Sequence, residues 1–133
     1  MYRIFITADV AKEAKEILEK EFIVAIQPNM DEDALCQVIG DYDAIITRSQ
    51  TKVTKKVIDA ATNLKVIGRA GVGIDGIDIA EATKKGITVV NTPESNTIAA
   101  CEHTIALMLS MTRHIPQAHQ SIMEGRWDRK SFT

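Results

Sequence analysis

The sequence predicts an α/β domain in which a parallel sheet carries helices on both faces. Short runs rich in Ile and Val alternate with amphipathic helical patterns from the start of the chain to Asn91. Strands that alternate with helices at this spacing are joined by right-handed crossovers, so they lie parallel in one sheet. A length of 133 residues with 45% hydrophobic residues is enough for one domain with a substantial core.

Each element is predicted from its apolar spacing and its boundary residues. The helix over 10–22 has apolar residues three and four positions apart, and its Lys and Glu residues form a solvated face. Acidic residues begin the helix over 31–39, and Gly40 ends it. The predicted strands are Tyr2–Thr7, Ile23–Ile26, Asp43–Thr47, Leu64–Arg69 and Ile87–Asn91, and two further helices are predicted over Val53–Ala61 and Ile77–Lys85.

A long helix is predicted to begin near Asn96 or Thr97, with Asn96 suited to the N-cap position. Its apolar stripe is broad, and Pro116 predicts a kink or an end there. The segment after Gly125 has no core pattern and stops abruptly. We therefore expect an α/β domain over residues 1–96 and a helical connection over residues 97–133.

A glycine-rich stretch follows the fourth predicted strand and precedes a helix. Its closely spaced glycines are Gly71, Gly73 and Gly76. They fit the G-x-G-x-x-G pattern of dinucleotide-binding loops, but Asp75 and Asp78 would repel a pyrophosphate. The next strand also ends in Asn91, where such a fold has an acid that binds ribose. A loop whose N–H groups bind a small anion and a tight turn without a ligand both remain open.

The carboxyl ends of the predicted strands indicate where a ligand binds. In open parallel sheets, ligands lie in the crevice beyond those ends. The three informative ends are Thr47–Gln50, Arg69–Gly73 and Asn91–Thr97. Because the strands are expected to be parallel, these segments should converge on one rim of the sheet.

Composition excludes several classes of function. A net charge of −2 and a pI near 5.9 give no electrostatic basis for binding nucleic acid or an anionic membrane surface. No apolar run approaches the roughly 18 residues of a membrane-spanning helix. Cys36 and Cys101 lie far apart without metal-ligand spacing, so we expect a reduced, cytoplasmic protein with no metal site.

Several motifs together resemble the D-2-hydroxyacid dehydrogenase family. They are ITRSQTKVT, NLKVIGRAGVGIDGIDIAEATKKGITVVNTP, SNTIAACEHTIALML and GRWDRKSF, in the family's order and spacing. In that family a flavodoxin-like substrate-binding domain is followed by a Rossmann domain, which carries the true G-x-G-x-x-G and the catalytic Arg, Glu and His. The resemblance implies that this chain stops where the Rossmann domain begins. It is therefore expected to hold no catalytic residue and to be inactive alone.

The resemblance implies how the glycine-rich stretch binds substrate and cofactor. The N–H groups of Gly71, Val72 and Gly73 are expected to bind the substrate carboxylate, and Asn96 adds a polar contact. Val72 and Thr97 are expected to border the nicotinamide of NAD, which the absent domain binds for the most part.

Arginines of the rim are expected to meet the other end of the substrate. By the resemblance, Arg48 and Ser49 face the substrate, with Arg48 placed for a phosphate, as suits a guanidinium fork. For Arg69, a contact with the substrate and a purely structural role both remain open. His103 is interpreted as structural, since the family's catalytic histidine belongs to the absent domain.

The implied reaction is the NAD-dependent conversion of 3-phosphoglycerate to 3-phosphohydroxypyruvate, the first step of serine biosynthesis, in a homo-oligomer. One alternative is a related dehydrogenase acting on glyoxylate, hydroxypyruvate or lactate. Another is a stand-alone flavodoxin-like binding or regulatory module. The basic tail with Trp127, Arg129 and Lys130 is hypothesised to lie near an active site, including that of a partner subunit.

Overall fold

The computed structural model describes residues 1–132, and its centre is a five-stranded parallel sheet in the order β2-β1-β3-β4-β5. The strands are β1 Arg3–Ile6, β2 Ile23–Ile26, β3 Ala44–Thr47, β4 Val66–Arg69 and β5 Thr88–Asn91. This strand order is that of flavodoxin-like sheets. The α/β fold class predicted from the sequence is confirmed.

The described chain forms two compact units, which divide between Ser95 and Asn96. The first holds the sheet and four helices, α1 Lys12–Leu18, α2 Glu32–Val38, α3 Lys55–Ala60 and α4 Ile79–Lys84. The second holds two helices, α5 Thr97–Thr112 and α6 Ile115–Met123. That the units are a substrate-binding domain over 1–96 and an inter-domain connection over 97–133 stays a prediction, and Thr133 lies outside the described residues.

Side-chain caps explain why α2, α3 and α4 begin later than their apolar patterns suggest. Asp31, Thr54 and Asp78 each accept a hydrogen bond from a backbone N–H three residues on. Val53, predicted to be helical, instead pairs with Ile77 in an isolated parallel bridge. The helix therefore starts at Lys55, after its cap.

The hydrophobic core lies between the sheet and helices α2, α3 and α4. Phe5, Ile45 and Ile67 occupy matching register positions on three neighbouring strands, and none is more than 3% exposed. Leu35 of α2 and Val57 of α3 belong to the same buried cluster. Burial of side chains this large contributes about 1.5–3 kcal/mol each.

The opposite face of the sheet carries α1. The chain runs from β1 outward to β2 and then returns to β3, β4 and β5. Right-handed crossovers therefore put α1 on one face and α2, α3 and α4 on the other, as predicted. Helix α1 has no buried residue, and Val90 on β5 is 50% exposed. Most of the core is thus on one side of the sheet.

Asp43 joins three strands at the amino-end edge of the sheet. Its carboxylate accepts a hydrogen bond from the Arg3 N–H at 2.9 Å and pairs with the Lys65 ammonium group. Its backbone N–H donates to Arg3 O at 2.9 Å, and its carbonyl accepts from the Lys65 N–H at 2.8 Å. The hydrogen bond from Lys65, followed by that from the Arg3 N–H, holds the pKa of Asp43 below its ordinary value.

The second unit is organised around the break between its helices. Helix α5 ends at Thr112, His114 adopts a left-handed conformation with φ 51°, and Pro116 lies in the first turn of α6. The helix end predicted near Pro116 is found at Arg113 and His114, just before the proline. Helix α5 has no buried residue. No helix within residues 1–132 is long and apolar enough to span a membrane.

The segment after α6 folds back through polar contacts that an apolar pattern does not reveal. Gly125 takes φ 75°, which ends the helix in the conformation that favours glycine. The hydroxyl of Ser121, a residue only 2% exposed, donates to Asp128 at 3.0 Å, and Arg126 Nε donates to the same carboxylate at 3.0 Å. A short 3₁₀ helix, Arg129–Phe132, follows.

We predict that replacement of Asp43 by Asn lowers the free energy of unfolding more at pH 7 than near pH 3. Because the folded-state pKa of Asp43 is depressed, its stabilisation is present above the unfolded-state pKa and is lost as pH falls through the folded-state pKa. Urea unfolding at both pH values measures this difference. Asp41→Asn is the control, since Asp41 has no ion-pair partner within residues 1–132. An Asp43→Asn deficit of equal size at both pH values would contradict the prediction.

Candidate functional site

The carboxyl ends of β3, β4 and β5 form one rim of the sheet. Thr47, Arg69 and Asn91, the last residues of these neighbouring strands, occupy the same level of the register. The convergence predicted from the sequence is therefore confirmed for these strand ends. Neighbouring strands lie about 4.8 Å apart, so groups on successive ends can meet one small molecule.

The glycine loop, residues 70–76, follows β4 along this rim. Three consecutive carbonyl groups in it each accept a hydrogen bond from a donor near a strand end. These bonds are Thr92 N–H to Gly71 O at 3.1 Å, Asn91 Nδ2 to Val72 O at 2.8 Å, and Arg69 Nε to Gly73 O at 3.0 Å. The loop is thereby tied to β4 and to the end of β5.

The N–H groups of Val72 and Gly73 donate to no acceptor within residues 1–132. Both residues are exposed. Consecutive backbone N–H groups of a turn that have no protein acceptor can donate together to a small anion. The Gly71 N–H, expected to be a third donor, instead donates to Arg69 O at 2.9 Å. Two of the three expected donors, Val72 and Gly73, are therefore free in this structure, and the N–H groups of Ile74, Asp75 and Gly76 also donate to no acceptor within residues 1–132.

Two carboxylates occupy the space that a dinucleotide would need. The Asp78 side chain accepts from the Glu81 N–H at 3.0 Å and so caps α4, a helix of only six residues. A Cβ added to Gly73 would stand 3.0 Å from Asp75 Oδ2, which places that carboxylate against the loop. A pyrophosphate at this helix N-terminus would meet both negative charges. The geometry therefore disfavours a dinucleotide at this loop.

Arg48 and Ser49 are exposed and come directly after β3. Neither side chain has a hydrogen-bond or ion-pair partner within residues 1–132. Arg48 lines a small cavity of about 50 Å³ together with Thr7, Asp9 and Gln50. This cavity lies at the ends of β1 and β3. The chain leaves β1 towards one edge of the sheet and β3 towards the other, so this is the topological switch point at which ligands of such sheets bind. The free guanidinium is thus placed to meet a ligand.

Arg69 is committed in part to the loop itself. It is half-buried, and its Nε donates to Gly73 O while its Nη1 is buried without a partner within the described chain. The sequence left open whether Arg69 contacts the substrate or only supports the structure. The structure gives it a supporting contact and one unused donor.

Asn96 and Thr97 begin the second unit. Asn96 is the N-cap residue of α5, but its side chain makes no capping hydrogen bond. The predicted contacts of Asn96 with substrate and of Thr97 with the nicotinamide stay predictions. His103 is exposed on α5, and the described residues contain no cluster of His, Cys, Asp and Glu suited to a metal ion.

Sequence reasoning missed the part that Asn91 plays. It noted only that Asn91 stands where a dinucleotide-binding fold has an acid. The available signal was the side-chain amide of Asn91 at the end of one strand. The glycine loop follows the neighbouring strand, and a loop of this kind has backbone groups that need partners. The structure shows that this amide binds the loop.

A family model for the D-isomer-specific 2-hydroxyacid dehydrogenase catalytic domain matches residues 4–127. The chain is 45% identical over 132 residues to a D-3-phosphoglycerate dehydrogenase of Synechocystis, covering 99% of this chain and 24% of that protein. It is 48% identical over 131 residues to one of Archaeoglobus fulgidus, covering 98% and 25%. A hydroxypyruvate reductase of Thermotoga maritima is 40% identical over 132 residues, covering 98% and 43%. The chain thus spans about a quarter of the length of these phosphoglycerate dehydrogenases.

Solved structures show the same architecture. A crystal structure of a Pyrococcus horikoshii protein superimposes with a TM-score of 0.84 at 34% identity, covering 96% of this chain and 38% of that one. The NAD⁺-bound 3-phosphoglycerate dehydrogenase of Entamoeba histolytica gives 0.72 at 32% identity, covering 84% and 39%. Together with the family model and the matching motifs, these likenesses show that the chain belongs to the D-isomer-specific 2-hydroxyacid dehydrogenase family.

Proposed function

We propose that this chain forms the substrate-binding part of an NAD-dependent dehydrogenase that converts 3-phosphoglycerate to 3-phosphohydroxypyruvate, the first step of serine biosynthesis. The observation that carries the proposal is the rim of the sheet. It offers two free backbone N–H groups at Val72 and Gly73 and an unpaired guanidinium at Arg48 on the neighbouring strand end. A molecule with a carboxylate at one end and a phosphate at the other matches these two groups of donors.

Each donor suits the group it is assigned. The Val72 and Gly73 N–H groups are consecutive donors, which suit the two oxygens of a hydroxy acid's carboxylate. Arg48 can present a planar fork to two phosphate oxygens, and Ser49 beside it adds a hydroxyl donor. With its two ends held, the substrate's C2 would be fixed against the glycine loop. Positioning of this kind lowers the entropic part of the barrier to reaction.

The cofactor is proposed to be NAD, which accepts the hydride from C2 when it is bound. The exposed apolar side chain of Val72, 42% accessible at the edge of the loop, is suited to border a nicotinamide ring. The catalytic Arg, Glu and His are proposed to belong to a further domain. The 133-residue chain should then show no turnover with 3-phosphoglycerate and NAD⁺, and measurable NADH production by the pure chain would contradict this assignment.

A reductase of unphosphorylated acids is the second candidate. It is favoured by the 40% identity to the Thermotoga maritima hydroxypyruvate reductase. The two candidates differ in what Arg48 binds. The phosphate of a phosphorylated substrate would bind the positive charge of Arg48. Glyoxylate and hydroxypyruvate have no phosphate for Arg48 to bind.

The cellular setting is proposed by the same reasoning. We infer a homo-oligomer, since Leu107, Met108 and Leu109 of α5 are each more than half exposed, and exposed apolar surface of this kind marks an interface. A cytoplasmic location is consistent with two cysteines that are both free.

In the complete dehydrogenase, Arg48→Gln should raise KM for 3-phosphoglycerate about 10- to 100-fold, as expected for the loss of a charge-assisted hydrogen bond. KM for D-glycerate, which has the carboxylate but no phosphate, should stay within about twofold of the wild-type value. Steady-state kinetics with both acids measure the split. Arg3→Gln is the matched control, because Arg3 begins β1 at the opposite edge of the sheet. An unchanged KM for both acids would instead favour the second candidate, and equal losses for the two would refute Arg48 as the phosphate ligand.

The basic tail is proposed to lie near an active site. Trp127 is 79% exposed, and Arg129 opens the exposed 3₁₀ helix that follows it. Charge reversal at Arg129 and Lys130 in the complete enzyme should raise KM for the phosphorylated substrate about two- to fivefold, the size expected for exposed charges. Reversal of Lys12 and Lys15 on α1 is the control. An unchanged KM in the tail variant would refute the placement.

A further inference from the structure

We propose that Asn91 and Arg69 are positioning residues, which hold the glycine loop so that its free N–H groups face the substrate carboxylate. This inference rests on the proposed function, since it explains how the same anion site is built. Neither side chain needs to touch the substrate for the effect.

The argument begins with the rigidity of the peptide unit. The carbonyl of one residue and the N–H of the next lie in one plane and point in opposite directions. A donor that fixes a carbonyl therefore also fixes the following N–H on the other side of the plane. In the glycine loop each fixed carbonyl sets the direction of one N–H.

Asn91 acts on the N–H of Gly73. Its Nδ2 donates to Val72 O at 2.8 Å, and the peptide plane that begins with Val72 O ends with the Gly73 N–H. The Val72 N–H is fixed in the same way, because the backbone N–H of Thr92 donates to Gly71 O at 3.1 Å. Both free donors of the anion site thus belong to peptide planes that are anchored on their far side by the end of β5.

Arg69 fixes the next plane of the loop, which ends with the Ile74 N–H, a neighbouring group that also donates to no acceptor within the described residues. Its Nε donates to Gly73 O at 3.0 Å, while its buried Nη1 has no partner within the described chain. Cβ atoms added to Gly71 and Gly76 would each stand 3.9 Å from guanidinium nitrogens of Arg69, so the group lies within the turn. It adds positive charge beside the two free N–H groups and directs one donor at the loop. A lysine would keep the charge but not the directed Nε–H.

The chemistry of position 91 is specific. An amide can donate to Val72 O, whereas an ionised carboxylate can only accept a hydrogen bond. Its negative oxygens would therefore repel the carbonyl oxygen of Val72. The side chain also reaches the loop from the same register level as Arg69, so the two anchors hold successive planes from adjacent strands. An acid at this position, typical of ribose-binding strand ends, would release the loop.

The test uses the complete dehydrogenase and three ligands. D-Glycerate carries the carboxylate alone, glycerol 3-phosphate the phosphate alone, and 3-phosphoglycerate both. Asn91→Ala should raise the inhibition constant of D-glycerate, measured against 3-phosphoglycerate, about three- to tenfold, the range for one hydrogen bond. Asn91→Asp should raise it further. The constant for glycerol 3-phosphate should be unchanged in both variants, a split that general destabilisation would not produce.

Matched controls separate the loop from the rest of the sheet. Asn63 also donates from its side-chain amide to a backbone carbonyl, Gly40 O at 2.6 Å, but it precedes β4 at the opposite edge. Asn63→Ala should leave the inhibition constants of D-glycerate and glycerol 3-phosphate, and the KM for 3-phosphoglycerate, unchanged. Arg69→Lys should also raise the inhibition constant of D-glycerate, as Asn91→Ala does. Arg3→Lys is the control for this substitution.

Two negative outcomes are distinct. If D-glycerate competes in the wild-type enzyme and Asn91→Ala binds it equally well, the positioning role is overturned while the proposed function stands. If D-glycerate does not compete in the wild-type enzyme, the proposed carboxylate site fails and the positioning role falls with it.

Discussion

The parallel register of β3, β4 and β5 is the constraint on which the site depends. Because Thr47, Arg69 and Asn91 end their strands at one level, the segments that follow share a single rim. A slip of one residue in β5 would carry the Asn91 side chain to the other face of the sheet and break its bond to the loop. The register is held in turn by the core on one face, where Ile45 and Ile67 are fully buried. Packing at the centre of the sheet therefore sets the position of donors at its edge.

The glycine loop shows how one sequence pattern serves different chemistry. Its glycine spacing matches a dinucleotide-binding fingerprint, yet the helix that follows is capped by the carboxylate of Asp78. That carboxylate brings a negative charge to the positive end of the helix, and free donors, including Val72 and Gly73, lie within the loop itself. A small carboxylate fits this arrangement better than a pyrophosphate, because it needs only those two N–H groups. The carboxylates around the loop thus argue against a pyrophosphate, although the glycine spacing would allow one.

The strands and the shared rim could be predicted because they depend on local patterns. Apolar runs located all five strands, and alternation with helices gave their parallel direction. The contact of Asn91 with Val72 O could not be predicted, since it joins residues 19 apart and needs the register of two strands. The occupied Gly71 N–H depends on local turn geometry. The fold-back through Ser121 and Asp128 is made by polar groups, which leave no periodic signal.

The most direct test of the central claim is an amide-resolved NMR titration of this chain, first with 3-phosphoglycerate and then with NADH. The account predicts shifts at Val72, Gly73 and Arg48 with 3-phosphoglycerate, and only weak effects from NADH. Strong NADH shifts across Gly71–Gly76 without a response to 3-phosphoglycerate would show that the loop binds a dinucleotide, and would contradict the assignment of this rim to the substrate.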